Sequence, residues 1–262
     1  MKTPHRFPAA PFALAVAAVC AAAHPAAAQD HGSAPRYGYE GDEGPAHWGA
    51  LSPAWAVCGI GRAQSPVKLE RAAAAQAPPL RFGYQAGPLE LRNNGHTVMV
   101  PIGGRGSLTV GTDHYTLQQY HFHTPAEHEV NGRRPAMELH LVHLAADLSV
   151  AAVGVLIEPG DHNPALEPLA ANLPTAPGQV RRVPGSFDPA SLLPAGWQRG
   201  LQSFRYTGSL TTPPCGEGVH WFVLRAPVQA SEDQIARFRR VMHHNSRPLQ
   251  PLYGRVPTVD PE

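Results

Sequence analysis

From Tyr37 onward the chain alternates short apolar segments with Gly, Pro and Asn turns. The turns recur roughly every 8 to 12 residues, the pattern of a sheet-rich single domain. Segments 89–91, 96–100, 107–110, 115–123, 137–144, 150–157 and 219–224 read as strands. Segment 150–157 has no polar face, which predicts a central strand buried on both sides. Helices are few and short. Asn163-Pro164 sets a cap and a first-turn proline, with Leu166, Leu169 and Leu173 at helical spacing. Ser231-Glu232-Asp233-Gln234 reads as a capping box ahead of an apolar stripe of Ile235, Phe238 and Met242. Both predict surface helices packed on a sheet. There is no internal repeat and no long linker.

Composition sharpens this picture. The 29 prolines argue against a bundle of long helices, since each one breaks a helix interior. A formal charge of +1 makes no electrostatic case for nucleic acid or an anionic membrane. Part of the count belongs to a leader. Lys2, His5 and Arg6 form a basic start, 12–23 is a run of small apolar residues, and Ala26-Ala27-Ala28 reads as a cleavage site. Such a run is too short to span the roughly 30 Å hydrocarbon core of a bilayer, so export with cleavage is favoured over an anchor. A lipoprotein at Cys20 is disfavoured by bulky Val19. The expectation is a signal peptide over 1–28 and one domain over 29–262, with 29–36 a loose start. Cleavage removes Lys2 and Arg6 and turns the charge to −1. It also leaves only Cys58 and Cys215. In an exported chain these predict a disulfide in preference to two unrelated thiols. Closing so long a loop is worth at most about 4–5 kcal/mol.

Candidate chemistry concentrates in 118–128, Gln-Gln-Tyr-His-Phe-His-Thr-Pro-Ala-Glu-His. Residues two apart on a strand share a face, so His121 and His123 present two imidazoles together. An H-x-H strand alone also describes a solvent-facing or core pair. The strand Met137-Glu138-Leu139-His140-Leu141-Val142-His143 changes the balance, because as a neighbour it adds His140 to the set and turns His143 the other way. Zinc takes neutral imidazoles, and structural sites fill all four positions, usually with thiolates. Two cysteines that pair with each other leave three histidines and one open position, the layout of a catalytic zinc site. Such an ion lowers the pKa of its water from about 15.7 to about 7. Each ligand needs an acceptor on its far nitrogen, and Gln119 and Glu138 share faces with His121 and His140. No H-E-x-x-H, G-x-S-x-G or P-loop is present. His243-His244 read as a solvated pair after the last helix.

These residues match a known family. The chain resembles the α-class carbonic anhydrases, the reference example for the three-histidine site and the lowered water pKa. The likeness spans 37–256 and rests on ordered motifs: Tyr39 with Gly44-Pro45-Ala46-His47-Trp48, Gln64-Ser65-Pro66, Asn93-Asn94-Gly95-His96, the two histidine strands, Ser209-Leu210-Thr211-Thr212-Pro213-Pro214, and Asn245 with Arg247-Pro248 and Gln250-Pro251-Leu252. It implies an exported bacterial member whose Zn2+ is held by His121, His123 and His140, with Gln119 and Glu138 as the acceptors behind them. It implies further that Thr211 accepts a hydrogen bond from zinc-bound hydroxide and passes its own proton to Glu127. By the same resemblance Val142, Leu210 and Trp221, with Ala152 beside them, wall an apolar carbon dioxide site. Thr212 lines the bicarbonate end, His96 shuttles protons and Tyr39 orders the connecting water. Cys58 and Cys215 match a disulfide of extracellular members. Tyr37, Ala46 and Ser246 depart from the family pattern, at positions expected to be peripheral to the metal.

The fold implied is a large twisted, mainly antiparallel sheet with short surface helices. The activity implied is reversible hydration of carbon dioxide to bicarbonate and a proton, in the periplasm or outside the cell, by a monomer or homodimer without a nucleic-acid partner or a membrane span. A zinc-binding relative without activity would be expected to lack a ligand histidine, and all three are here. A zinc hydrolase acting mainly on esters is disfavoured by the narrow apolar pocket.

Overall fold

The computed structural model describes residues 35–70 and 72–261. The expected leader and the segment 29–34 lie outside the described residues. One twisted sheet organises the rest. Along its main path run Val180–Phe187, Gly87–Asn93, Val98–Pro101, Asp113–His123, Met137–Ala145, Val150–Pro159, Glu217–Leu224 and Ser203–Ser209. Most neighbours are antiparallel. The exceptions at the centre are Val150–Pro159 against Glu217–Leu224 and Val228–Ala230, which run parallel. Each expected strand is present, except that the one expected over 96–100 begins only at Val98, His96 and Thr97 belonging to the turn before it, and 150–157 is central and buried on both faces.

Alternation along the strands supplies two cores. Ala151, Val153, Val155 and Ile157 point to a large apolar cluster with Leu139, Leu141, Tyr120 and Phe122, while Ala152 and Leu156 join a second with Trp221 and Tyr206. The helix Glu232–Met242 covers the large cluster with Ile235 and Phe238, and begins with the expected capping box at Ser231 and Gln234.

The strand Asp113–His123 breaks strict alternation. Tyr115 and Leu117 face the large core, and so do Tyr120 and Phe122. The phase changes because Gln118 is an extra residue: Leu117 pairs with His143 and Gln119 with the next residue back, Val142. A bulge of this kind turns every later side chain to the opposite face. The displaced carbonyl of Gln118 accepts from the amides of Ile102 and Gly103. Beyond the bulge His121 and His123 leave the core face, and His121 lies opposite His140.

One helix differs from expectation. The α-helix is Glu167–Ala170, with Pro168 in its first turn. Asn163 instead closes a preceding turn, its Oδ1 accepting from the Ala165 amide and its carbonyl from the Leu166 amide. The expected disulfide is present and closes a separation of 157 residues. No helix among the described residues is long and apolar enough to cross a membrane.

On the core face His143 is fully buried, its Nε2 against the Tyr84 hydroxyl at 2.8 Å and its Nδ1 near the Ala151 carbonyl. Burial pushes this imidazole down from 6.5 to about 4. Between those values the unfolded chain binds the extra proton, so stability rises with pH. Unfolding free energy should therefore fall as pH drops from about 6.5 to about 4, and His143→Gln should remove up to about 3 kcal/mol of that fall. Denaturant titrations of both proteins across the window measure it, and identical slopes would contradict the assignment.

Candidate metal centre

His121 and His140 are a directly opposed cross-strand pair, and His123 lies two residues along the same face. Their ring centroids are 5.0, 5.3 and 4.5 Å apart, for His121–His123, His121–His140 and His123–His140. One ligating atom from each lies within 4.8 Å of the others, a set able to hold a metal ion.

Each ring has an acceptor close to one nitrogen. His121 Nδ1 lies 2.9 Å from Gln119 Oε1, His123 Nδ1 lies 2.8 Å from the Asn245 carbonyl, and His140 Nε2 lies 3.0 Å from Glu138 Oε1. His123 Nε2 is buried without a hydrogen-bond partner, and His140 Nε2, though 3.0 Å from Glu138 Oε1, is not aligned for a hydrogen bond to it. Leaving such an atom unsatisfied is costly, which fits a bound ion. Burial lowers the pKa of all three rings, His123 to about 4 and His121 well below the usual range. At neutral pH they are uncharged, the form that ligates.

Glu138 holds this arrangement together. Its Oε2 accepts from the amides of Glu127 and His128, and its Oε1 meets His128 Nδ1 at 2.7 Å as well as His140. Burial alone would raise this carboxyl, but the electrostatic pull and hydrogen bonding of the His128 and His140 imidazoles beside it hold it well below the usual range. The chain continues through His128 Nε2 to the Tyr206 hydroxyl, which donates to Ser65 Oγ. His128, Glu138 and His140 also converge closely enough for an ion. Hydrogen bonds already engage that carboxylate on both oxygens, so the set reads as an orienting network. Space for it comes from Gly154, opposite His140, where a Cβ would lie 2.6 Å from Glu138 Oε1.

Glu127 behaves differently. Burial raises its pKa, opposed by the charge of His140, the hydroxyl of Thr211 and the Arg247 amide, which donates to Oε1 at 2.8 Å. Arg247 is itself buried, bonded to Gln64, Ser65 and the Cys58 carbonyl. The disulfide fastens Cys215, three residues past Thr212, to this same region. Thr211 is thus buried on a loop tied down at both ends, the Leu210 amide donating to the Gly216 carbonyl and the Ser209 amide to Ser65 Oγ. One cross-strand row carries Val142, Ala152 and Trp221, and Trp221 packs 4.8 Å from the His140 ring.

A cleft of about 110 Å³ opens above the histidines, lined by Tyr39, His96, His121, His123 and Thr212 among others. Tyr37, expected to be peripheral, lines it too. Its ring stacks on His96 at 3.8 Å and 10°, and it shares the cleft wall with Thr212. Burial raises it to about 12. Of the other departures, Ala46 is exposed and Ser246 is buried against the Pro125 carbonyl. Sequence reasoning also gave no separate work to Asn245, His128, Gly154 or Arg247. Asn245 and Arg247 sat within recognised motifs, but only the folded chain brings their partners to them.

A sequence model described as eukaryotic-type carbonic anhydrase matches residues 43–259. The chain is 41% identical over 221 residues to a carbonic anhydrase of Pectobacterium carotovorum, covering 84% of this chain and 89% of that one. It is 38% identical to a carbonic anhydrase of Neisseria gonorrhoeae, covering 86% and 88%. Among solved structures, the α-carbonic anhydrase of Thermovibrio ammonificans in complex with the inhibitor sulfanilamide matches with a TM-score of 0.82 and 41% identity, over 87% of this chain and all of that one.

Because Glu138 is held by its partners, a methyl group at Gly154 cannot be met by a free swing of the carboxylate. Gly154→Ala should weaken metal affinity by about 10- to 100-fold, the usual cost of disturbing an acceptor behind a ligand. Competition for zinc against a chelator measures this, and unchanged affinity would refute the role of Gly154.

Proposed function

The chain belongs to the eukaryotic-type, α-class carbonic anhydrases, and on that footing we propose that it hydrates carbon dioxide reversibly with Zn2+ held by His121, His123 and His140 and with His96 carrying the proton away. The observation that carries the reading is the set of three converging neutral imidazoles, each with an acceptor within 3.0 Å of one nitrogen, with the Nε2 of His123 left unsatisfied. A zinc ion there lowers the pKa of water to about 7 and so supplies hydroxide at neutral pH, carbonic anhydrases being the reference case for that shift.

The chain's own residues then do the steering. Gln119, Glu138 and the Asn245 carbonyl fix the ring planes. The Thr211 hydroxyl, donating to Glu127, has only its lone pairs left for the nucleophile, so it would accept a hydrogen bond from the nucleophile's O–H and turn the attacking lone pair toward carbon. Glu127, buried and held through Oε1 by the Arg247 amide, is fixed in place as the acceptor for that hydroxyl. Val142, Leu210 and Trp221 offer an apolar wall for a substrate without charge, and Thr212 a hydroxyl for the bicarbonate product. Tyr39 lines the same cleft as His96, His121 and His123, where its hydroxyl would order the connecting water.

One proton must leave per turnover. Recombination at roughly 10¹⁰ per molar per second limits direct release from a group of pKa about 7 to on the order of 10³ per second. Faster turnover needs an intermediary that titrates near neutrality, which is histidine. Burial lowers His96, with the charge of Glu43 opposing. The disulfide supports an exported enzyme, working in the periplasm or outside the cell where thiols oxidise.

Carbon dioxide hydration should vanish on metal stripping, return with zinc, and be lost in His140→Ala. Activity unchanged by either treatment would sink the zinc reading. His96→Ala should slow turnover at low buffer and recover with added imidazole, while equal turnover at low buffer would remove the shuttle.

A further inference from the structure

His96 stands between two hollows. The inner one is the cleft over His121 and His123. The outer one, about 550 Å³, has His243 and His244 in its wall, beside Tyr39, Glu40 and Met242. We infer that His243 and His244 form an outer proton relay, taking the proton from His96 and handing it to buffer bases in solution. The inference rests on the shuttle reading of His96 given above.

The pair is held in place from three sides. The His243 amide donates to the Arg239 carbonyl at the end of the helix Glu232–Met242, and its own carbonyl accepts from the Thr124 hydroxyl. Asn245 Nδ2 donates to the His96 carbonyl at 3.0 Å, tying the segment directly to the shuttle turn. His243 itself has φ 54° and ψ −131°, at the position after a helix where glycine is the usual residue. A side chain kept in such backbone points toward a use for that side chain.

Accessibility gives the pair something to do. His96 is half-buried with one face covered by the Tyr37 ring, whereas His243 and His244 are exposed. A small base can reach the His96 ring, but a bulky one meets a partly covered target. Two exposed imidazoles on the same hollow enlarge it. The other groups facing His96 and the hollow are Tyr37, Tyr39, Glu40 and Glu43. Burial raises both tyrosines, so they stay protonated and do not take the proton. A shared metal ion is the weaker use of the three rings. Among the described residues the sets whose ligating atoms converge are those around His140, and this trio is not one of them. Proton exchange across a hollow needs no such convergence. In the step, the His96 imidazolium gives one proton to a neutral ring of the pair and becomes neutral. That ring then gives the proton to a buffer base, which leaves as its conjugate acid.

The test is His243→Asn with His244→Gln, in the zinc-loaded enzyme, at low concentration of a bulky sulfonate buffer. Removing two of three exchanging rings should lower kcat by up to about threefold, as encounter rate follows the accessible target. The kcat/KM for carbon dioxide, which covers steps before proton export, should not follow. Small imidazole as buffer should restore kcat, and in a His96→Ala background the two substitutions should add nothing. Parental kcat in the bulky buffer, or a full loss that persists without His96, overturns the relay. If His96→Ala alone leaves low-buffer turnover unchanged, the shuttle reading fails and the relay with it. His244→Gln alone, at an ordinary backbone position, gives the same test if position 243 does not accept asparagine.

Discussion

One additional residue on a strand decides where the imidazoles go. Gln118 has no partner in the register between Asp113–His123 and Met137–Ala145, and this shifts the phase of everything after it. Before the bulge the odd-numbered Tyr115 and Leu117 face the apolar core. After it the even-numbered Tyr120 and Phe122 do, which releases His121 and His123 to the other face. The free energy that fixes this is hydrophobic. Burying two aromatic side chains is worth several kcal/mol, more than the bulge costs, so the core selects the phase and the histidines follow. His140, Glu138 and Val142 alternate without a bulge and meet them across the ladder.

The phase shift left a signature that reading 115–123 as one regular strand did not use. The apolar positions Tyr115, Leu117, Tyr120 and Phe122 do not share a parity, and only a bulge or a strand end reconciles them with one buried face. The histidine set, the capping box at Ser231 and the central strand were legible because local periodicity and packing agree there. What escaped had no such agreement. Val180–Phe187 is an exposed edge strand with Arg181, Arg182, Pro184 and Gly185, where neither alternation nor β-propensity gives a signal. The helix near Asn163 was misplaced because its cap residue serves a turn instead. Tyr37 could not be assigned from its neighbours, since only the folded chain brings its ring onto His96.

The two buried carboxylates show how environment divides work between like groups. Glu138 is surrounded by donors and held ionised, so it pulls imidazole protons toward itself. Glu127 has fewer partners, and burial dominates it. Neither property belongs to glutamate. Both follow from how many amides and rings the fold turns inward at each position.

Asn245 also sets an order of events. It is 122 residues beyond His123, yet its carbonyl fixes that ring, its Oδ1 accepts from the Thr124 amide, and its Nδ2 donates to the carbonyls of His96 and Phe122. A chain emerging from a ribosome has its histidine strands long before it has this residue. The two strands can pair early, but the ring planes cannot be set until the late segment docks. The centre is therefore a long-range construction: two neighbouring strands supply its imidazoles, and a segment more than a hundred residues later sets the plane of the one at His123.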